Sequence, residues 1–328
     1  MKIVIVGLGS IGRRHLRNLL ALGERDIVLC RTHRSTLPED ELKDFRVETD
    51  LRAALALGAQ AVIVSNPTSL HVETALEAAR AGCAVFLEKP VSHTLEKVAD
   101  LQAAVQRKNG RVLVGFQYRF HQGMRKVKQL LAEDAIGKAL AVRAHYGDYL
   151  PGWHPWEDYH QAFSARADLG GGVILTLCHP LDYLRYLLGE VEEVWALVGY
   201  QGGLGIDVED SAEIGLRFAN GVLGSVHLNY VQRPAAHWME IIGARGVIRW
   251  EYQQNAVHVN AEGRQAFTWQ GEQADVRNPM FVEEMRHFLA LARGEETSLC
   301  TLQDGVRALE IALAAYESER QGKRIKIS

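Results

Sequence analysis

Glu88-Lys89-Pro90 places an ammonium group directly behind Ala84-Val85-Phe86-Leu87, an apolar run that reads as a buried strand. Pro90 cannot donate to a sheet ladder and steers Lys89 towards an extended or turn conformation. The charge therefore falls where a strand ends. In an open parallel sheet, ligands bind in the crevice at the carboxyl ends of the strands. A lysine there can give or take a proton, and its charge stabilises a developing alkoxide. Thr176, His179 and Asp182 form a second polar set, and their spacing of three predicts one shared face of a helix.

A phosphate-binding pattern stands at the other end of the same region. Lys2-Ile3-Val4-Ile5-Val6 reads as a strand, Gly7-Leu8-Gly9-Ser10-Ile11-Gly12 follows, and Arg13 to Leu22 has helical spacing. This is G-x-G-x-x-G in a strand–turn–helix setting. Gly7 permits the turn, Gly9 admits a pyrophosphate close to the backbone, and Gly12 lets helix pack on strand. The helix start, at Ser10 and Ile11, offers N–H groups to the phosphates. The second strand, Ile27 to Cys30, ends in Arg31-Thr32-His33-Arg34-Ser35, with no carboxylate for a ribose 2′-hydroxyl. Arg31, Thr32 and Arg34 suit a 2′-phosphate, so NADP(H) is the expected cofactor, with NAD(H) as the alternative.

The elements that must position these groups alternate. Strands are expected at 61–64, 84–87 and 111–115, and helices at 50–57, 72–81 and 94–108, the last with Thr94 as a cap. Alternation predicts a parallel, doubly wound sheet. Ser65-Asn66-Pro67 and His71 follow the strand at 61–64, where the Asn66 amide can turn towards a ligand. Beyond residue 120 the pattern changes. Segments at 139–146, 194–200, 211–218, 222–230, 238–242, 247–252 and 256–260 read as strands, and Asn220-Gly221 is a hairpin signal. Residues 278–294 and 302–320 read as amphipathic helices, the second expected to return to the first domain. Aromatics and polar groups interleave from Gly147 to Leu169, including Tyr149, Trp153, His154 and Asp158, a mixture suited to a polyol.

Bulk composition sets outer bounds. A chain of 328 residues with 47% hydrophobic and 23% charged residues predicts a two-domain globular protein. A net charge of −3 points to neither nucleic acid nor an anionic membrane. No apolar run reaches the roughly 20 residues of a membrane span. Cys30, Cys83, Cys178 and Cys300 lie far apart and fit a reducing compartment. A strand directly after Met1 leaves no room for a signal peptide, so a cytoplasmic location is expected. The histidine spacings match no standard metal pattern, and no metal is expected.

The Gly7–Gly12 turn, Asn66-Pro67 with His71, Glu88-Lys89-Pro90 and Gly115-Phe116-Gln117-Tyr118-Arg119-Phe120 occur together and in this order. As a set they resemble the Gfo/Idh/MocA family, the glucose-fructose oxidoreductases, inositol dehydrogenases and their relatives. The resemblance implies a Rossmann domain over 1–120 and, over 121–328, an α+β domain with a large, mostly antiparallel open sheet that also makes a homodimer or homotetramer. It implies hydride transfer between a nicotinamide and a sugar, nucleotide-sugar or cyclitol carbon. Lys89 matches the family's catalytic lysine and His179 its catalytic histidine, while Tyr118, Arg119, Trp153 and Asp182 would shape the substrate site. Thr176 stands where the family carries an aspartate, and threonine takes no proton at neutral pH. Two other readings keep the fold: a non-catalytic dinucleotide sensor, and a lyase or glycosidase assisted by a recycled nicotinamide.

Overall fold

The computed structural model describes residues 1–31, 40–108, 110–263, 265–272 and 277–327. The chain divides into two compact units. The first contains residues 1–116, 168–170 and 281–306, and the second contains 117–167, 171–280 and 307–328.

The first unit is built on six strands: β1 (Ile3–Val6), β2 (Ile27–Cys30), β3 (Arg46–Glu48), β4 (Ala61–Val64), β5 (Ala84–Glu88) and β6 (Val112–Gly115). They are all parallel, in the order β3-β2-β1-β4-β5-β6. Strands β1, β2, β4, β5 and β6 are buried along their whole length, as continuous Val/Ile/Leu runs in a parallel sheet require. Helices α1 (Ser10–Ala21), α2 (Leu51–Ala56), α3 (His71–Arg80) and α4 (Val98–Arg107) make the crossovers. Asp50 caps α2 through Ala53 N–H. α4 starts four residues after the expected Thr94, whose hydroxyl bonds Glu96 N–H in a local turn. Short polar side chains can satisfy the backbone in a turn as well as at a helix start, and the sequence pattern does not separate the two.

The second unit starts with α5 (Gln122–Ala132), β7 (Ala139–Tyr149), α6 (Val173–Thr176) and α7 (His179–Leu188). Then come β8 (Val191–Gly199), β9 (Ser211–Phe218), β10 (Leu223–Asn229), β11 (Val231–Gly243), β12 (Gly246–Glu251), β13 (Ala256–Ala261) and β14 (Phe267–Gln270). Helices α8 (Asn278–Arg293) and α9 (Leu302–Gln321) and strand β15 (Ile325–Lys326) complete the chain. The nine-stranded sheet runs β14-β13-β12-β11-β7-β10-β9-β8-β15, antiparallel except where β7 and β10 pair parallel. Burial alternates along β9, so one sheet face is covered and the other is open.

Two sequence expectations are corrected here. A single boundary at residue 120 does not describe the units. Most of α8, not the body of α9, belongs with the first unit, where Phe288 meets Phe86 edge-on at 5.5 Å. From Arg307 onward α9 belongs to the second unit, and its Ser318 hydroxyl accepts the Ala196 N–H. An amphipathic pattern shows that a helix has a partner, not which one.

Candidate active site

In the first unit the strand order reverses between β1 and β4, whose ends Val6 and Val64 are in register. That switch point is where a doubly wound sheet binds dinucleotides. Gly7 follows β1 with φ +91°, and a Cβ there would lie 2.5 Å from Asn66 N. A Cβ on Gly12 would lie 2.0 Å from the Gly7 carbonyl, so only glycine lets α1 approach the turn. A Cβ on Gly9 would meet nothing within 4 Å, which leaves room for a phosphate beside the backbone. The N–H groups of Ser10, Ile11 and Gly12 precede the first possible acceptor inside α1. Ser65 seals the turn by donating to Val6 O and Gly7 O. The Asn66 amide donates to Thr74, and its Oδ1 is buried without a partner among the described residues. An open glycine turn, free helix N–H groups and an unmatched acceptor together fit a dinucleotide.

Arg31 follows β2 and is buried, with its backbone N–H on Glu48 O. Thr32 and Arg34 lie outside the described residues.

Lys89 sits at the end of β5, partly exposed. Its backbone is clamped on both sides. Glu88 Oε2 accepts the Lys89 N–H at 3.2 Å, while Glu88 Oε1 meets His15 Nε2 of α1 at 2.7 Å. The cis-linked Pro90 carbonyl is 2.8 Å from His71 Nδ1, and His71 Nε2 is 2.9 Å from Asn66 O. His71 thus ties the ends of β4 and β5 together, and burial lowers its pKa. The polar atoms of Glu88 and His71 meet protein groups.

In the second unit His179 opens α7, and its Nε2 lies 3.3 Å from the Gln117 amide nitrogen. Its ring meets Tyr118 edge-on at 4.8 Å. Arg119 grips Asp182 through two bonds of 3.0 and 2.6 Å, with both side chains buried. This is a bidentate internal ion pair, and it takes up both Asp182 oxygens. Tyr118 is also buried, and burial holds its hydroxyl well above the ordinary phenol range. Trp153 is half-buried and meets Tyr230 edge-on at 5.5 Å.

Thr176 does not share a helix with His179. α6 ends at Thr176 and α7 begins at His179. Pro180 has no N–H to bond the Thr176 carbonyl, which is why a continuous helix stops there. Thr176 is buried at the end of α6, and the Tyr230 hydroxyl donates to the Ser164 carbonyl at 3.3 Å. Sequence reasoning also passed over Gln117 and Tyr146 beside His179, and His237, on whose ring Tyr146 stacks. Gln117 stood inside a quoted motif. Tyr146 and His237 lay in strands whose alternation marks a face but not a neighbour.

Fold and site together define a dinucleotide-binding oxidoreductase with a second, open-sheet domain. Residues 1–116 match the family described as "Oxidoreductase family, NAD-binding Rossmann fold", and residues 124–249 match the "GFO/IDH/MocA C-terminal domain". The chain belongs to the Gfo/Idh/MocA family. It is 28% identical to the myo-inositol 2-dehydrogenase of Thermotoga maritima, over 100% of this chain and 98% of that protein. It is 30% identical to the 1,5-anhydro-D-fructose reductase of Ensifer adhaerens, over 81% and 79%. A levoglucosan dehydrogenase solved in complex with NADH superposes with a TM-score of 0.87 at 23% identity, covering 100% and 99%. At that identity the likeness establishes the fold.

Proposed function

We propose that this NAD-binding oxidoreductase acts at a hydroxyl or ketone carbon of a sugar, nucleotide-sugar or cyclitol, with Lys89 as its acid/base. The carrying observation is the clamped backbone of Lys89, held by Glu88 on one side and through the Pro90 carbonyl on the other. A backbone so held at a strand end fixes where the Lys89 side chain leaves the sheet, in the crevice where such folds bind ligands. When bound, the nicotinamide supplies or accepts the hydride. Lys89 gives the proton to the substrate oxygen in reduction and takes it in oxidation, and its charge stabilises the alkoxide. His179 serves as a second polar group on the substrate, with Gln117 orienting its ring. Trp153 and Thr176 belong to the same side of the proposal, as the surroundings of the substrate. Arg119 and Asp182 act by fixing the start of α7 against the Gln117–Phe120 turn. The names of the relatives, an inositol dehydrogenase and an anhydro-sugar reductase, support this substrate class.

NADP(H) is the preferred cofactor in this reading, because β2 ends without a carboxylate and is followed by Arg31, Thr32 and Arg34. The protein works in a reducing cytoplasm, which suits buried cysteines that form no disulfide. Subunits join through the open sheet face, where Trp195, Leu197 and Leu223 are exposed.

One experiment tests both substrate class and cofactor. Purified protein is offered NAD+ or NADP+ with myo-inositol, hexoses, anhydro-sugars and nucleotide-sugars, and absorbance at the reduced-nicotinamide band is followed. Turnover of at least one polyol, faster with NADP+, is expected. Tight cofactor binding with no turnover would favour a sensor. Tighter binding of NADH than of NADPH would overturn the NADP preference.

A further inference from the structure

The corner between α6 and α7 rests on a buried acid that the chemistry above does not use. Glu209, just before β9, is 4% exposed. Its carbonyl accepts the Val173 N–H at 3.1 Å, and its Oε1 accepts the Ile174 N–H at 3.0 Å. These are the leading N–H groups of α6. The Tyr316 hydroxyl of α9 donates to the same Oε1 at 2.6 Å. Gly172 lies against the carboxyl. It has φ +103°, and a Cβ there would lie 2.4 Å from each Glu209 oxygen. Gly171 is seated as tightly, because a Cβ there would lie 2.3 Å from the Phe163 carbonyl.

α6 does not hold itself. It is one turn of four residues, and a lone turn fixes more dihedrals than its own hydrogen bonds offset. The Thr176 and Leu177 N–H groups reach back to Gly172 O and Val173 O, each at 2.9 Å. Those of Val173 and Ile174 have no acceptor inside the helix, and Glu209 supplies both. Glu209 is itself anchored by the next residue. The Asp210 carboxylate accepts the Gln201 and Gly202 N–H groups, and its carbonyl accepts the Tyr230 N–H. Burial raises the Glu209 pKa, and the bonds from Tyr316 and Ile174 act against that rise. The surroundings thus oppose its charge and use its reach as an acceptor. α6 leads through Leu177 and Cys178 directly into His179, the first residue of α7.

We propose that Glu209 is a positioning residue for His179: by bonding the Ile174 N–H it fixes the α6 turn, and the turn sets where His179 stands. This rests on the sugar or cyclitol reading, in which His179 meets the substrate. Glu209 does not itself touch the substrate and acts through α6.

Two substitutions in the whole chain separate reach from charge. Glu209→Asp keeps the charge but is one methylene shorter, which takes its oxygens out of reach of the Ile174 N–H. Glu209→Gln keeps an acceptor oxygen at the same reach and gives up the charge. Hydrogen exchange read by mass spectrometry, without substrate, should show residues 171–179 exchanging about tenfold faster in Glu209→Asp and near the unaltered rate in Glu209→Gln. With the best polyol of the panel, kcat should fall about tenfold in Glu209→Asp and stay within about threefold in Glu209→Gln. The opposite order would mean that the charge matters and not the bond, and would overturn the proposal. A His179→Ala background separates positioning from a general structural loss. There Glu209→Asp should change kcat less than about twofold, because the residue it places is gone. A tenfold effect in that background as well would show that Glu209 does not act through His179. If the unaltered protein oxidises no polyol, the substrate reading falls, and with it a role in catalysis, while hydrogen exchange still decides whether Glu209 holds α6.

Discussion

Lys89 shows how much a single residue owes to its neighbours. The lysine is flanked by groups that fix backbone, not charge. Glu88 turns inward to His15, whose ring is fully buried, and the Pro90 carbonyl is held by His71. Changing Lys89 should therefore remove chemistry without loosening the turn. In Lys89→Met we expect kcat to fall by about 10²–10⁴, the range for a lost general acid–base group, with NADPH affinity within a factor of about two. Turnover kinetics and fluorescence titration of bound NADPH check the two halves. Turnover within tenfold of the unaltered protein would show that another group handles the proton. The same scale separates residue type from role. The resemblance implied that Arg119 and Asp182 shape the substrate site, and in the structure they pair with one another in the interior. A buried ion pair and a binding site use the same residue types, and only the partner tells them apart.

At the scale of elements, termini carry more of the design than helix interiors. α5 starts at His121, whose Nδ1 accepts the Gly123 N–H at 3.1 Å. That cap needs a bare Nδ1, and burial lowers the His121 pKa to about 4. The unfolded chain takes up this proton near pH 6.5, but the folded protein resists it until about pH 4. Between those values the unfolded state binds more protons, so stability falls as pH drops through the window and then levels off. The interval corresponds to about 3 kcal/mol, and buried His71 and His237 act in the same direction. His121→Asn keeps a side-chain acceptor at the cap and removes the titration. Urea unfolding at pH 7 and pH 4.5 should therefore show a shallower pH dependence in this variant. An unchanged dependence would assign the acid sensitivity elsewhere. The break between α6 and α7 belongs at this scale as well. Pro180 was visible in the sequence, but the periodic spacing of Thr176, His179 and Asp182 suggested one helix where there are two.

At the scale of the whole molecule, the open sheet is the feature that an isolated chain leaves unused. Leu197 is 55% exposed and Leu223 52%, on a face where the His145 ring lies parallel to those of His227 and Trp238. If subunits meet there, Leu197→Glu should set two carboxylates against apolar surface in every contact. Sedimentation is expected to show a dimer or tetramer for the unaltered protein and at least a tenfold weaker association for the variant. A monomer in both cases would refute the interface. The strand–turn–helix unit around Gly7–Gly12, the alternation of strands and helices, and the placing of Lys89 at a strand end all came from the sequence alone. Glycine, proline and apolar runs act through their own backbone, so their effect is local and readable. The small strands β3, β14 and β15 escaped because two to four residues carry too little pattern. Which charges pair inside, where α8 belongs, and that Tyr146 stands beside His179 were decided only by tertiary structure. Those contacts join residues far apart in the chain, and no local propensity encodes which buried polar group will meet which.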